Sequence, residues 1–229
     1  MSKRLKYVSH TDYYPKSITP ARIHIPQWYK DSERWVGGKP SLSNGENLGL
    51  KHCMPFIEAL TIGYTILLPC DLLATQVNGV TELNWRFNDR DYARSRKNNL
   101  QKAIPVPYGS DTQQFTWEVQ TSIKLPPGYS ALLTHPLNRF DLPFITMSGV
   151  IDGNYTMQPG SILFYVKEGY EGIIEQGTPI IQVIPFKTED WNLEEDPNLF
   201  KEAELNAKSS VTVLSGWYKK TYWKKKNYN

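Results

Sequence analysis

The sequence predicts a mainly β protein, an antiparallel barrel or sandwich, on three observations. From Leu125 to Phe186, short apolar runs are each closed by a Gly or Pro turn, which is typical of half or fully buried antiparallel strands. No helical pattern interrupts that stretch of about sixty residues. Upstream, Asn78-Gly79 joins two apolar runs, and this dipeptide is the strongest short-range signal for a hairpin.

Length and composition bound the organisation. A chain of 229 residues can bury one good core, so we expect one β-domain over residues 51–191. Residues 1–50 then form an N-terminal arm, and residues 192–229 form a C-terminal helix and a Lys/aromatic tail. A hydrophobic content of 40% excludes wholesale disorder, and a net charge of +3 is too small for a dedicated nucleic-acid-binding protein.

Cysteine, histidine and apolar patterns exclude several further classes. Cys53 and Cys70 lie without a CxxC partner, which indicates reduced thiols in a cytosolic protein and no disulfide framework. The four histidines show no metal-ligand spacing, so no metal site is expected. The start of the chain has no apolar signal region, and the longest apolar run, Ile62–Leu68, is too short to span a membrane.

The first half of the chain predicts an arm, a helix and a hairpin. Four prolines prevent long elements in residues 1–50, although 25–35 can form a short helix that places Trp28 and Trp35 on one face. The elements that follow are a helix from Pro55 to near Gly63, a strand at Tyr64–Leu68, and a hairpin of Asp71–Val77 with Thr81–Phe87. Residues 88–109 carry a basic excess, interpreted either as a phosphate-binding footprint or as a solvated face.

The second half predicts strands and a final helix. The strands are Gln114–Leu125, Tyr129–Thr134, Phe144–Ile151, Ser161–Val166 and Gln182–Phe186. An amphipathic helix is expected from about Pro197 to Lys208.

Three motifs in this half carry a family resemblance. Leu125–Leu133, LPPGYSALL, resembles the strand-turn-strand "IPxGYxGLI" of dUTPases and dCTP deaminases. Gly149–Tyr155, GVIDGNY, resembles their "GVIDxxY" hairpin, and Gly177–Ile184, GTPIIQVI, resembles "GDRIAQLI". The resemblance implies a dUTPase-like β-fold and a homo-oligomer, with a trimer as the family habit and pockets at subunit borders. Most of the chain also resembles an uncharacterised family of tailed phages and bacteria, which implies action in the host cytoplasm or in the virion.

The same resemblance implies site residues. Asp152 would act as the base that activates water or would bind the sugar, Tyr155 would pack under deoxyribose, and Gln182 would contact the substrate. An alternative is that Asp152 only makes its turn. Where an active dUTPase carries a Pro-Arg-Ser phosphate loop, this chain has His135 to Arg139 without the serine. In an active nucleotide hydrolase, His135 and Arg139 would meet phosphate, and Mg²⁺ would be the only expected cofactor.

The C-terminal tail interleaves cations with rings. Its candidate docking residues are Trp217, Lys219, Lys220, Trp223 and Lys224. Stacking of bases on the rings together with the positive charge would suit binding of single-stranded nucleic acid. Alternatively, the rings dock on a neighbouring subunit while the lysines stay in solvent. A loose tail is the third alternative.

Three functions remain open at this point. The first is a phage-encoded binding or structural protein on a degenerate dUTPase-like scaffold, with no catalysis. The second is a nucleotide pyrophosphatase or deaminase that acts on deoxynucleotides with Asp152 as base. The third is a virion structural component. The missing phosphate-loop serine favours the first and third, because a fold does not bring its function with it.

Overall fold

The computed structural model describes residues 3–11, 16–38, 47–85, 91–96, 104–153, 155–157, 160–212 and 217–229. The strands are β1 (Lys6–Ser9), β2 (Ile18–Pro20), β3 (Tyr64–Leu67), β4 (Leu72–Val77), β5 (Val80–Trp85), β6 (Ala93–Ser95), β7 (Ser110–Val119), β8 (Thr121–Lys124), β9 (Tyr129–Thr134), β10 (Phe144–Thr146), β11 (Gly149–Asp152), β12 (Gly160–Lys167), β13 (Gly172–Ile174) and β14 (Pro179–Lys187). The α-helices are α1 (Gln27–Asp31), α2 (Met54–Thr61), α3 (Leu199–Thr212) and α4 (Trp217–Thr221). Short 3₁₀ helices cover Ala21–His24 and Leu50–His52.

In the part of the chain that the structure describes, these strands form four sheets, and every pairing there is antiparallel. Their orders are β1-β8, β10-β12-β7-β6, β11-β9-β14-β3-β2 and β13-β4-β5. The prediction of a mainly β protein is therefore confirmed. Within the described ranges, none of the helices combines the length and the apolar composition needed to cross a membrane.

One apolar cluster draws on both of the larger sheets. Trp117 of β7 lies flat on Phe164 of β12, with ring centres 3.5 Å apart. The Trp117 indole N–H donates to Thr146 Oγ1 at 3.0 Å, and the Thr146 hydroxyl donates to the Ile180 carbonyl of β14 at 2.7 Å. Because β14 belongs to the five-stranded sheet, this chain of hydrogen bonds ties the two sheets across a shared core, as in a sandwich.

Turn residues and apolar patterns in the sequence predicted the positions of several helices and strands correctly. The predicted hairpin is formed by β4 and β5, and Asn78 and Gly79 both have positive φ, 53° and 76°, as a two-residue turn of type I′ requires. The expected helix after Cys53, the strand Tyr129–Thr134 and the C-terminal helix are all present as α2, β9 and α3.

Two predicted strands are each divided in the structure. Residues 114–125 break at Gln120, after which the chain leaves β12 and pairs with β1 instead. Residues 144–151 break between β10 and β11, which belong to different sheets. The alternation of apolar and polar residues along a strand does not show where its partner strand changes, so the sequence did not predict either break.

Two of the described segments in the first fifty residues are built into the sheets. β1 pairs with β8, and β2 pairs with β3. Helix α1 ends at Asp31, so Trp28 and Trp35 do not share a helical face. Each ring still packs on the body: Trp28 lies edge-on to Phe56, and Trp35 lies 4.5 Å from the His52 ring.

Only part of the basic segment 88–109 falls within the described residues. Arg94 there forms an ion pair with Glu118 at 3.1 Å. Arg90, Lys97 and Lys102 lie outside the described residues. The phosphate-binding role of this segment stays a prediction.

Candidate functional site

The loop between β9 and β10 begins at His135 and carries two of the predicted ligand residues, His135 and Arg139. The Thr146 N–H donates to His135 Nδ1 at 3.3 Å, and His135 Nε2 lies 3.2 Å from the Arg139 carbonyl. An accepting Nδ1 and a donating Nε2 together describe the neutral imidazole. Burial lowers the pKa of His135, which favours the same neutral form.

This lowered pKa predicts a pH dependence of stability. As the pH falls, His135 takes up a proton in the unfolded chain before it does so in the folded chain, because its pKa is near 6.5 when unfolded and lower when folded. The contribution of the neutral ring to the free energy of unfolding is therefore complete above about pH 6.5. It is lost as the pH falls towards the folded pKa. We expect the free energy of unfolding to fall less between about pH 6.5 and pH 5 in His135→Gln than in the wild type. Urea titrations at several pH values measure both slopes. His24 and His52 also have lowered pKa values, so the variant is expected to keep part of the pH dependence. If stability changed equally with pH in the variant and the wild type, the assignment to His135 would be contradicted.

Arg139 is occupied by its own loop. Its guanidinium donates two hydrogen bonds to Asp141, from Nε to Oδ1 at 2.9 Å and from Nη2 to Oδ2 at 2.8 Å. Its Nη1 donates to the His24 carbonyl at 3.3 Å. Trp28 Nε1 donates to the same carboxylate at 3.1 Å. Burial alone would raise the pKa of Asp141, but the hydrogen bonds and charge of Arg139, with Trp28, hold that pKa below its usual value. The arginine fork is thus paired with an internal carboxylate.

Gln182 lies in the interior and is 1% exposed. Its Oε1 accepts from the Leu137 N–H at 2.7 Å, and its Nε2 donates to the carbonyls of Ala59 and Ile62 at 3.0 and 2.7 Å. Both amide protons are therefore used. The side chain ties the loop after β9 to the end of α2.

Asp152 and Tyr155 lie at the other end of β9. Asp152 Oδ1 accepts from the Ser130 hydroxyl at 2.9 Å, and Ser130 also contacts Thr188 Oγ1 at 2.8 Å. The Tyr155 N–H donates to the Asp152 carbonyl at 3.0 Å, and the Tyr155 ring is exposed. Asn154, the second residue of the predicted turn, is outside the described residues.

The predicted site residues therefore form two clusters. Ser130 lies near the start of β9 and His135 directly follows its end, and five residues of strand span about 17 Å. The structure brings together His135, Arg139 and Gln182, and separates them from Asp152 and Tyr155. A role of these five residues in binding a ligand stays a prediction.

Gly153 packs the Asp152 corner against the neighbouring turn. A Cβ at Gly153 would lie 2.3 Å from the Tyr129 carbonyl oxygen and 2.5 Å from that of Pro126. We expect Gly153→Ala to lower the free energy of unfolding by about 1–3 kcal/mol, because backbone would have to move. Gly149→Ala in the same hairpin meets open space and is the matched control, with a change within about 0.5 kcal/mol. Equal urea midpoints for the two variants would contradict this packing.

A groove that the sequence pattern did not indicate adjoins this turn. Two neighbouring cavities of about 430 and 330 Å³ share Lys3, Arg4, Leu125 and Pro126, and we call them together the basic groove. The other lining residues are Lys6, Lys124 and Pro127 on one side and Leu5, Tyr64, Tyr129, Pro185, Asn227 and Tyr228 on the other. The available signal was the run Lys-Arg-Leu-Lys at residues 3–6.

The basic groove has four cations and no acid among its lining residues. Lys6 and Lys124 are directly opposite in the β1–β8 ladder, and like charges in that position are destabilising unless an anion lies between them. The Lys3 ammonium sits 5.4 Å from the centre of the Tyr129 ring. Among the described residues, no carboxylate pairs with any of the four cations. The arrangement is suited to an anionic partner with apolar or aromatic groups.

The end of the C-terminal tail packs on its own chain. Tyr228 lies edge-on to Tyr64 with ring centres 5.7 Å apart, and Arg22 donates to the Tyr228 carbonyl. Lys226 forms an ion pair with Glu58 of α2. The tail residues therefore close one side of the basic groove.

The other predicted tail residues differ in their surroundings. Trp223 is partly buried beside α2, and Trp217 lies edge-on to Tyr222. Lys219, Lys220 and Lys224 are exposed. Docking of these lysines on a partner or on nucleic acid stays a prediction.

Between β14 and the tail runs a segment that we call the acidic arm, residues 189–205. The chain leaves the body where the Thr188 N–H donates to the Gly128 carbonyl at 3.0 Å, beside the basic groove. Every residue from 186 to 205 is exposed, including Trp191 at 86% and Phe200 at 70%. Seven acidic residues and one lysine give the acidic arm a net charge of −6.

Neither metal ligation nor known relatives assign a chemistry to these clusters. Within the described ranges, no three His, Cys, Asp or Glu side chains are grouped closely enough to hold a metal ion. A scan against models of protein families gives no match, and a search of curated proteins finds no significant relative.

Proposed function

We propose that this chain is a phage-encoded binding or structural protein on a degenerate dUTPase-like scaffold, and that it assembles into a homo-oligomer through its acidic arm. The observation that carries the proposal is the exposure of that arm. Large apolar side chains at Trp191, Leu193, Phe200 and Leu205 all face solvent within seventeen consecutive residues of the isolated chain. Clustered exposed apolar surface of this kind marks an interaction site.

Helix α3 supports the same conclusion. It spans 14 residues, and an isolated helix of that length is marginal in water without a packed apolar face. Its contacts with the rest of the chain include a hydrogen bond from the Tyr222 hydroxyl to Asn206 at 3.2 Å, whereas Leu199, Phe200 and Leu205 remain exposed. A partner that covers these three side chains would supply the missing burial.

The loop after β9 supports a role other than phosphate chemistry. Phosphoryl and pyrophosphoryl transfer depends on cations positioned at the phosphates. Arg139 is paired with Asp141, and His135 is held neutral by two backbone partners. Asp152, the candidate base, lies at the opposite end of β9 from both.

The test is the mass of the full chain in solution, measured by light scattering after gel filtration. We expect an oligomer for the wild type and a shift to monomer for Phe200→Ser/Leu205→Ser, with an unchanged circular dichroism spectrum for the β-domain. Phe140→Ser is the matched control, because Phe140 is 73% exposed on the body of the protein and lies outside the acidic arm. A wild-type chain that stays monomeric at all concentrations would overturn the proposal.

Activity assays distinguish the enzymatic alternative. Incubation with dUTP and dCTP in the presence of Mg²⁺ is expected to release no pyrophosphate or ammonia above background. Release that is abolished by Asp152→Asn would instead establish a deoxynucleotide hydrolase or deaminase. If the assembly acts as a virion component, the chain will be present in stoichiometric amount in purified particles.

A further inference from the structure

We infer that the basic groove is the docking site for the acidic arm of a second copy of this chain. The inference rests on the proposed function and deepens it, because it names the surface that the arm covers. It also commits to one occupant, a second copy, on the charge and geometry of the two segments.

Charge complementarity is the first argument. The groove presents Lys3, Arg4, Lys6 and Lys124 without an acid among its lining residues, and the acidic arm carries a net charge of −6. Opposite potentials of this kind steer two surfaces together and fix their register. A carboxylate between Lys6 and Lys124 would also relieve the repulsion of two like charges that face each other across the β1–β8 ladder.

The apolar groups of the two segments are complementary as well. Leu125, Pro126 and Pro127 line the groove beside the cations, and Tyr129 lies next to them. The arm offers Trp191 and Leu193, both highly exposed, between its acidic residues. A tryptophan seated on prolines and a tyrosine is a typical anchor of a protein interface, and flanking charge pairs form the rim.

The backbone of the arm suits a groove. Residues 188–196 have no helix or strand, so the stretch that carries Trp191 and Leu193 is exposed irregular chain before α3 begins. Such a segment can follow a neighbouring surface without disrupting a regular element. The fold of the donor copy therefore does not need to change when its arm docks.

Geometry favours reciprocal exchange between two copies. The arm leaves the body at the Thr188–Gly128 hydrogen bond, and Gly128 belongs to the same turn as Pro126 and Pro127 of the groove. The arm is therefore attached to the body beside the groove. A two-fold axis near this point allows each copy to give its arm and to receive the other, which is the self-complementary arrangement common in homodimers.

Charge reversal tests the inference with the full-length chain. The groove variant is Arg4→Glu/Lys6→Glu, and the arm variant is Glu194→Lys/Glu195→Lys. We expect each alone to raise the dissociation constant for assembly at least tenfold at low salt, and an equimolar mixture of the two to restore assembly. In the mixture, a normal arm meets a normal groove and a reversed arm meets a reversed groove. The control Lys16→Glu/Lys30→Glu makes the same charge change on exposed residues outside the groove, the arm and the tail, and is expected to assemble as the wild type does.

The outcomes separate this inference from the proposed function. If the groove variant assembles normally while Phe200→Ser/Leu205→Ser is monomeric, the arm docks elsewhere, and only the present inference is overturned. If the mixture stays monomeric while a chain carrying both reversals assembles, the groove receives the arm of its own chain, and the second copy is excluded as occupant. A monomeric wild type overturns the proposed function as well.

Discussion

Replacing Gln182 with methionine is expected to lower the free energy of unfolding by about 3–5 kcal/mol. Methionine keeps the length of the side chain but cannot replace the amide. The N–H of Leu137 and the carbonyls of Ala59 and Ile62 would each lose a partner, and a shielded polar group left unpaired costs about 1–3 kcal/mol. Urea unfolding monitored by circular dichroism measures the change.

The matched control for Gln182 is Gln176→Met. Gln176 is exposed, and its side chain donates one hydrogen bond to the Pro69 carbonyl at 2.7 Å, so water can replace the lost amide. Its substitution is expected to cost less than about 1 kcal/mol. A Gln182→Met variant as stable as Gln176→Met would contradict the structural role assigned to Gln182 and would reopen its predicted role as a ligand contact.

Replacing Trp117 with alanine is expected to lower the free energy of unfolding by about 3–5 kcal/mol. The indole is fully buried, stacks on Phe164 and lies 5.0 Å from the Phe144 ring. Truncation would leave a cavity in the apolar cluster that the two larger sheets share and would remove the hydrogen bond to Thr146. The midpoint of urea or thermal unfolding measures the loss.

Phe140→Ala is the control for Trp117, since it also truncates an aromatic ring but at an exposed position. Its expected effect is within about 0.5 kcal/mol. If both variants unfolded at the wild-type midpoint, the two sheets would not share the core described above. A loss of cooperativity in Trp117→Ala alone would show that this ring couples them.

The predictions for Gln182 and Trp117 both concern how distant parts of the chain are held together in the folded state. Trp117 belongs to the apolar cluster that draws on both larger sheets, and its hydrogen bond to Thr146 continues to Ile180 of β14. Gln182 joins β14 to α2 and to the loop after β9 through hydrogen bonds. Both side chains contact residues that are distant in sequence, and both are among the least exposed of the described residues. Of the two, Gln182 contacts the loop that carries His135 and Arg139 directly, through the Leu137 N–H.

The amino-acid sequence by itself determined the features that depend on neighbouring residues. Asn78-Gly79 specified a two-residue turn because both positions need positive φ, and Pro55 placed the first turn of α2. Short apolar runs with Gly and Pro punctuation were sufficient to predict a mainly β fold. The amphipathic composition after Pro197 was sufficient to predict α3.

Only the tertiary structure decided which residues meet. One groove is lined by residues that are far apart in sequence, Lys3, Lys124 and Tyr228. By contrast, Asp152 and Arg139 lie close in sequence but are beside opposite ends of β9. Strand pairing between distant segments and the docking of the tail on α2 create these neighbours. Periodicity records which face of an element is apolar, but it contains no information about the element that will cover that face, so the groove and the internal pairing of Arg139 required the folded chain.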